Sequence, residues 1–203
     1  MNYYHDLITE KSWTTLQEIK QSFDFVLIGG WAVYLYTHGL KSRDIDFMCD
    51  YKTLEKLRGN YELIKNDRLK KYEIHWGEFD IDIYTPFFSD LPIPTEDLMT
   101  MTMSEEGFTV LKKEPLLILK QKAFEDRRMS AKGEKDKIDI LALLKSGFDI
   151  KAYQKLLKKY QLQDLQEQLM SLLKETREVP ELDLNAHQLS RLKKVWISSF
   201  TLF

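Results

Sequence analysis

The sequence has 203 residues, of which 43% are hydrophobic and 31% are charged, so it can form one compact domain, or two small ones, around a hydrophobic core. No run approaches the roughly 20 apolar residues that span a bilayer, and the first ten residues are too polar for a signal peptide. We therefore expect a cytoplasmic protein with no membrane partner.

The formal net charge of -2 conceals a difference between the two halves of the chain. Residues 1–111 contain 11 Lys and Arg against 19 Asp and Glu, whereas residues 112–203 contain 19 against 13. An acidic half beside a basic half suits the binding of a metal ion together with a polyanion. On charge alone, a solvated helical surface is the alternative, and both interpretations stay open.

The cysteine and histidine content argues against two kinds of chemistry. Cys49 is the one cysteine of the sequence, and the four histidines are scattered. A lone cysteine cannot form an intramolecular disulfide, and the histidines lack the spacing of zinc ligands. Disulfide and zinc chemistry are therefore not expected.

Short apolar runs bounded by turn residues predict β-strands in the first half. The predicted strands are 25–28, 45–48, 72–76 and 79–84, with short helices at 31–37 and 53–58. Trp76-Gly77-Glu78 predicts a hairpin turn between the last two strands.

Helical spacing predominates in the second half, apart from a short extended piece at 108–111. Leu91-Pro92-Ile93-Pro94 interrupts the pattern and predicts a boundary between domains 1–94 and 95–203. The predicted helices are 116–128, 135–146, 150–160, 163–178 and 185–200, with a loop at 129–134. The expected fold class is α/β (α+β), an N-terminal α/β unit followed by a C-terminal helical bundle.

A glycine pair follows the first predicted strand directly. Gly29-Gly30 lies between that strand and a predicted helix, where free backbone N–H groups attract anions and glycine allows close approach. The pattern predicts either a phosphate-binding turn or a simple tight turn.

Two predicted strands carry pairs of acidic residues at positions i and i+2. Asp44 and Asp46 share one face of a strand, and Asp80 and Asp82 share one face of another. Converging carboxylates repel each other unless a cation lies between them, so the pattern suits one or two Mg²⁺ ions. The alternative is a solvent-facing edge with apolar residues packed inward.

The order of these motifs resembles the signature of the DNA polymerase beta nucleotidyltransferase superfamily. The second half adds Lys120 and Arg127 on one helix and Lys135-Asp136-Lys137-Ile138-Asp139 on the next. This series resembles the AbiEii-type (abortive-infection toxin) nucleotidyltransferases and their stand-alone relatives. The resemblance covers roughly residues 23 to 146, and it implies a mixed sheet with flanking helices in a catalytic core (1–94) and a helical domain (95–203) that completes the active-site cleft.

The resemblance also implies roles for individual residues. Asp44, Asp46 and Asp82 would be catalytic and would hold Mg²⁺, or Mn²⁺, with Asp82 helping to deprotonate the acceptor and Asp80 as its rival. The nucleotide-binding residues would be Gly29, Gly30, Ser42, Lys120 and Asp136. Arg127, Lys135 and Asp139 are further candidates. This chain has Trp31 where many members have Ser, and Leu40 where an Arg is often found.

The implied activity is transfer of a nucleoside monophosphate from an NTP to a hydroxyl group. The acceptor is expected to be RNA, tRNA in particular, ahead of a small molecule or a protein. One alternative is a catalytically silent nucleotide- or RNA-binding module. Another is a toxin or antitoxin component controlled by a partner, for which the helices after Ile150 would bind a protein partner or a second copy of the chain.

Overall fold

A computed structural model describes residues 2–201 of the chain. The structure divides into two compact units between Lys112 and Lys113, which we call the N-terminal and C-terminal units. This division lies later than the predicted boundary at 94/95, because residues 102–111 form two strands of the N-terminal sheet. It coincides instead with the change from acidic to basic charge balance in the sequence.

The N-terminal unit is built on a mixed sheet with flanking helices. Its helices are α1 (Asn2–Ser22), α2 (Gly29–Thr37), α3 (Tyr51–Asn60) and α4 (Thr95–Leu98). Its strands are β1 (Val26–Ile28), β2 (Ile45–Met48), β3 (Ile64–Asn66), β4 (Lys71–Trp76), β5 (Phe79–Tyr84), β6 (Thr102–Glu105) and β7 (Phe108–Leu111). The four predicted strands, the extended piece at 108–111 and both short helices are confirmed. The elements α1, α4, β3 and β6 were not predicted.

The strands of this unit form one seven-stranded sheet in the order β3-β4-β5-β2-β1-β7-β6. The pairs β2–β5 and β1–β7 are parallel, and the other four pairs are antiparallel. The predicted hairpin turn at Gly77-Glu78 joins β4 to β5 and pairs Trp76 with Phe79.

Alternation along β5 separates the core from the polar face of the sheet. Phe79, Ile81 and Ile83 are buried, whereas Asp80 and Asp82 point to the other face and are partly exposed. Because successive side chains of a strand point to opposite faces, burying the three apolar residues fixes both acids on one side. The core therefore determines where the acids lie.

The C-terminal unit is helical. It contains α5 (Lys113–Arg127), α6 (Ala131–Lys145), α7 (Ile150–Lys159), α8 (Asp164–Glu175), a short 3-10 helix (Pro180–Leu182) and α9 (Ala186–Thr201). Gln121 connects three of these helices, since its side chain accepts from Tyr153 Oη at 2.9 Å and donates to the carbonyl of Leu165 at 2.8 Å. The predicted helical bundle is confirmed.

The predicted loop at 129–134 is wrong in its second half. Helix α6 already begins at Ala131, because Ser130 caps it by accepting a hydrogen bond from the backbone N–H of Gly133. A Cβ at Gly133 would lie 2.2 Å from the carbonyl oxygen of Arg127. The glycine therefore permits a close backbone approach inside a helix rather than forming a turn.

Among residues 2–201, no helix is long and apolar enough to cross a membrane.

Candidate active site

Three carboxylates occupy one register position on neighbouring strands of the N-terminal sheet. Asp46 on β2 pairs with Asp82 on β5, and Asp82 pairs with Glu73 on β4. Side chains paired across strands share a face, and neighbouring strands lie about 4.8 Å apart. Asp46, Asp82 and Glu73 therefore form a row of acids across the sheet, which we call the carboxylate row.

The glycine pair meets this row at the end of β1. Ile28, the last residue of β1, pairs with Asp46, and α2 begins at the next residue, Gly29. Gly29 has a φ of +66°, and a Cβ there would lie 2.2 Å from Oδ2 of Asp46. Only glycine leaves room for the Asp46 carboxylate beside the first residue of α2.

Asp82, in the middle of the row, has two differently placed carboxylate oxygens. Oδ2 accepts a hydrogen bond from Nζ of Lys71 at 2.6 Å. Oδ1 is buried and has no hydrogen-bond partner. Burial, and then the charge of Asp46, raises the pKa of Asp82 to about 7, against the opposing effect of Lys71. One oxygen of this acid is therefore held by Lys71, and the other is buried with an unused capacity to accept a hydrogen bond or bind an ion.

The other two predicted acids have different surroundings. Asp44 lies just before β2, where its Oδ1 is 3.4 Å from Nε of Arg43 and accepts from the backbone N–H of Asp80 at 3.5 Å. Asp80 is about half exposed, and its Oδ1 lies 2.7 Å from Nδ1 of His75. That hydrogen bond, and then the charge of Asp80, raises the pKa of His75. Of the two rivals on β5, Asp82 is the one in register with Asp46.

Ser42 precedes β2 and is buried. Gly30 is also buried, in the first turn of α2. The structure thus places Gly29 beside Asp46, whereas the nucleotide-binding roles of Gly29, Gly30 and Ser42 stay predictions.

The predicted residues of the C-terminal unit form a buried ion-pair network. Asp136 and Asp139 are each 1% exposed. Lys120 Nζ lies 3.2 Å from Oδ1 of Asp136 and 2.7 Å from Oδ2 of Asp139. Arg127 binds both oxygens of Asp136, at 2.7 and 3.0 Å.

Lys135 completes this network at 3.0 Å from Oδ2 of Asp139. Burial lowers the pKa of Lys135, although the charge of Asp139 opposes the shift. The network thus combines three cationic side chains with two carboxylates. The predicted nucleotide-binding residues Lys120 and Asp136 bind each other within it, and their contact with a nucleotide stays a prediction.

Comparisons with known proteins identify the fold. The sequence matches no protein-family model and no curated protein. An antigenic nucleotidyltransferase-like protein from Paracoccidioides brasiliensis is 16% identical, with a TM-score of 0.51 over 89% of this chain and 94% of the other. An H. pylori protein assigned as a nucleotidyltransferase is 18% identical, with a TM-score of 0.52 over 96% of each chain.

The chain has the nucleotidyltransferase fold. The predicted fold class is thereby confirmed. At such low identities the likeness establishes the architecture, so an activity has to be argued from the side chains.

Two acids of the carboxylate row, Asp46 and Asp82, suit a divalent cation that takes its other ligands from water and substrate. Among residues 2–201, no group of three or more Asp, Glu, His or Cys side chains is placed to hold a metal ion, so Asp44, Asp46 and Asp82 do not form such a group by themselves. Mg²⁺ commonly takes one or two carboxylates and completes its shell with water and substrate phosphates. The pairing of Asp46 with Asp82 and the buried, unpartnered Oδ1 match that requirement.

Lys71 and Glu73 lie next to Asp82 in this fold, although no sequence motif indicated them as site residues. A signal for them was present. Once the turn pairs Trp76 with Phe79, the antiparallel register carries Glu73 opposite Asp82. Lys71 and Glu73 alternate with buried residues and so share the face of the acids.

Proposed function

We propose that the protein is a nucleotidyltransferase that moves a nucleoside monophosphate from an NTP to a hydroxyl acceptor with the help of Mg²⁺ or Mn²⁺. The observation that carries this proposal is the in-register pair of Asp46 and Asp82, in which Oδ1 of Asp82 is buried without a partner. Gly29 supports it, because its missing side chain places the Asp46 carboxylate at the start of α2.

In this mechanism Asp46 and Asp82 would hold the ion, and Asp44 is a further candidate ligand. When bound, Mg²⁺ would neutralise phosphate charge and orient the triphosphate. The acceptor oxygen forms a bond to the α-phosphorus while the bond to pyrophosphate breaks, and Asp82 helps to remove the hydroxyl proton. The chain mainly supplies position and charge.

We favour RNA, and tRNA in particular, as the acceptor, on the sequence resemblance to AbiEii-type enzymes. The same resemblance suggests a toxin whose activity a partner controls. Growth arrest on expression, relieved by Asp46→Asn, would support a toxin. Unimpaired growth would favour a housekeeping transferase.

Calorimetry with each of the four NTPs, with and without Mg²⁺, tests the nucleotide site. Wild type is compared with Asp46→Asn and Asp82→Asn, and Asp80→Asn serves as the matched control on the same strand and face. Binding that requires Mg²⁺, Asp46 and Asp82 but not Asp80 supports the proposal. Binding that is indifferent to Asp46 and Asp82 indicates a silent nucleotide-binding module.

Transfer itself is tested with NTPs labelled on either the α- or the γ-phosphate and a tRNA pool. Nucleotidyl transfer puts the α-label on the RNA and releases the γ-label in pyrophosphate. Labelling from the γ-phosphate would instead indicate a kinase and would contradict the proposal.

A further inference from the structure

Lys71 lies beside the site, between two acids of the carboxylate row. Its ammonium group is 2.6 Å from Oδ2 of Asp82 and 2.9 Å from Oε1 of Glu73. All three side chains are largely buried, with 12% of Lys71, 14% of Glu73 and 16% of Asp82 exposed. The Asn66 amide donates to both oxygens of Glu73, at 3.2 and 3.1 Å, and so anchors the outer end of the row.

The positive charge of Lys71 compensates the negative charges of the carboxylate row unevenly. Like charges directly opposite each other on neighbouring strands are destabilising, and a buried charge needs a partner. Lys71 provides one positive charge for Asp82 and Glu73. Lys71 does not hold Oδ1 of Asp82, which is left without a hydrogen-bond partner.

We infer that Lys71 is a resident cation of the carboxylate row. It occupies the gap between Asp82 and Glu73, holds one oxygen of Asp82, and confines a divalent ion to the side of Asp46. Glu73 therefore keeps the Lys71 ammonium group in place and does not bind the ion. The inference rests on the proposed function only in taking Asp46 and Asp82 as the ion site.

Replacing Lys71 should change the affinity for an ion in a definite direction. A positive charge on the order of 6 Å from a divalent ion weakens its binding by about tenfold even at the dielectric constant of water. Lys71→Met should therefore bind Mn²⁺ about tenfold more tightly than wild type, whereas Lys71→Arg, which keeps the charge, should not.

The experiment is a Mn²⁺ titration of the full chain, followed by the electron paramagnetic resonance signal of free Mn²⁺, at one pH and without nucleotide. Lys65→Met is the matched control, because Lys65 lies on the neighbouring strand β3 and is an exposed lysine that forms an ion pair with Asp67. Lys65→Met should bind Mn²⁺ as wild type does. Glu73→Gln removes a negative charge on the order of 10 Å from the ion but keeps Lys71, so it should weaken binding about fourfold.

The double variant Lys71→Met with Glu73→Gln protects the test against misfolding of Lys71→Met. It removes one charge of each sign from the row, so its affinity should return to within about threefold of wild type. If Lys71→Met does not fold, the inference is tested with Glu73→Gln and the double variant. In that case, Mn²⁺ binding by Glu73→Gln that is as tight as in wild type would overturn the inference.

The outcomes separate this inference from the proposed function. Unchanged or weaker Mn²⁺ binding in folded Lys71→Met overturns it, and so does the absence of binding in both proteins. Binding in Lys71→Met but not in wild type supports a resident cation and counts against a Mg²⁺-dependent wild-type enzyme. Normal Mn²⁺ binding without any nucleotide binding contradicts the proposed function alone.

Discussion

Each of the two units buries a cluster of charged side chains, but the two clusters differ in how completely their carboxylate oxygens are paired. In the C-terminal unit every carboxylate oxygen of Asp136 and Asp139 lies within 3.4 Å of a nitrogen of a lysine or arginine side chain. In the N-terminal unit the carboxylate row has three acids, and Oδ1 of Asp82 has no hydrogen-bond partner. A paired cluster holds helices together, whereas an unsatisfied buried oxygen is available to a ligand.

The largest expected effect comes from breaking the paired cluster. Asp136→Asn leaves the buried charge of Lys120 and the partly exposed charge of Arg127 with less compensation, so the free energy of unfolding should fall by about 3 to 5 kcal/mol. Urea unfolding measures it. Asp126→Asn on α5 is the control, because Asp126 is 60% exposed and its pair with Lys122 should contribute less than about 1 kcal/mol. Equal losses in the two variants would show that the network is not a structural support.

A second prediction tests how tightly the fold is built around the Asp46 carboxylate. Gly29 and Gly77 have almost the same φ, +66° and +67°, but a Cβ at Gly77 would meet nothing within 4 Å. Both alanine variants pay for left-handed backbone strain, and Gly29→Ala also clashes with Asp46. Gly29→Ala should therefore lose about 1 to 3 kcal/mol more stability than Gly77→Ala. It should also lose Mg²⁺-dependent nucleotide binding, which Gly77→Ala should keep.

The third prediction concerns pH. The pKa of Asp82 is raised from an ordinary value of 3.8 to about 7 in the folded chain. At any pH between these two values, the folded state therefore keeps a proton on Asp82 that the unfolded state has lost. Stability from this group is present below pH 4 and is lost as pH rises towards 7, by at most about 1.4 kcal/mol per pH unit.

Asp82→Asn should abolish this dependence. Measured without divalent ions from pH 4 to 8, the variant should gain stability relative to wild type as pH rises. Groups distant from Asp82 titrate equally in both proteins, so the difference reports Asp82 together with the charges that interact with it. A difference that is constant with pH would show that neither burial nor the charge of Asp46 raises the pKa of Asp82.

Local sequence patterns were enough to predict most of the sheet and the positions of its acids. The strict alternation in β5 indicates a strand and also puts Asp80 and Asp82 on one face. The turn at Gly77 fixes the register of β4 and β5, since a short hairpin leaves little freedom of pairing.

Other features depend on contacts that are distant in sequence. The parallel pairing of β2 with β5 joins strands separated by β3 and β4, and no local pattern specifies it. Helix α1 was missed because its buried positions include Thr9, Ser12 and Thr15, which weaken the apolar periodicity. The ion pairs of Lys120 likewise require knowing that α5 and α6 pack together.

The smallest expected effect concerns Asp80, the exposed acid of β5. Comparing it with Asp82 distinguishes a hydrogen-bonded surface carboxylate from one with a buried, unpartnered oxygen. Asp80 is 47% exposed and bonded to His75, which is 59% exposed, so Asp80→Asn should change stability by less than about 1 kcal/mol. It should leave Mg²⁺-dependent nucleotide binding at the wild-type level, whereas Asp82→Asn removes it. Calorimetry on both variants provides the measurement. If Asp80→Asn removes binding and Asp82→Asn does not, then Asp80 is the third carboxylate, and register with Asp46 is a poorer guide to the site than exposure to solvent.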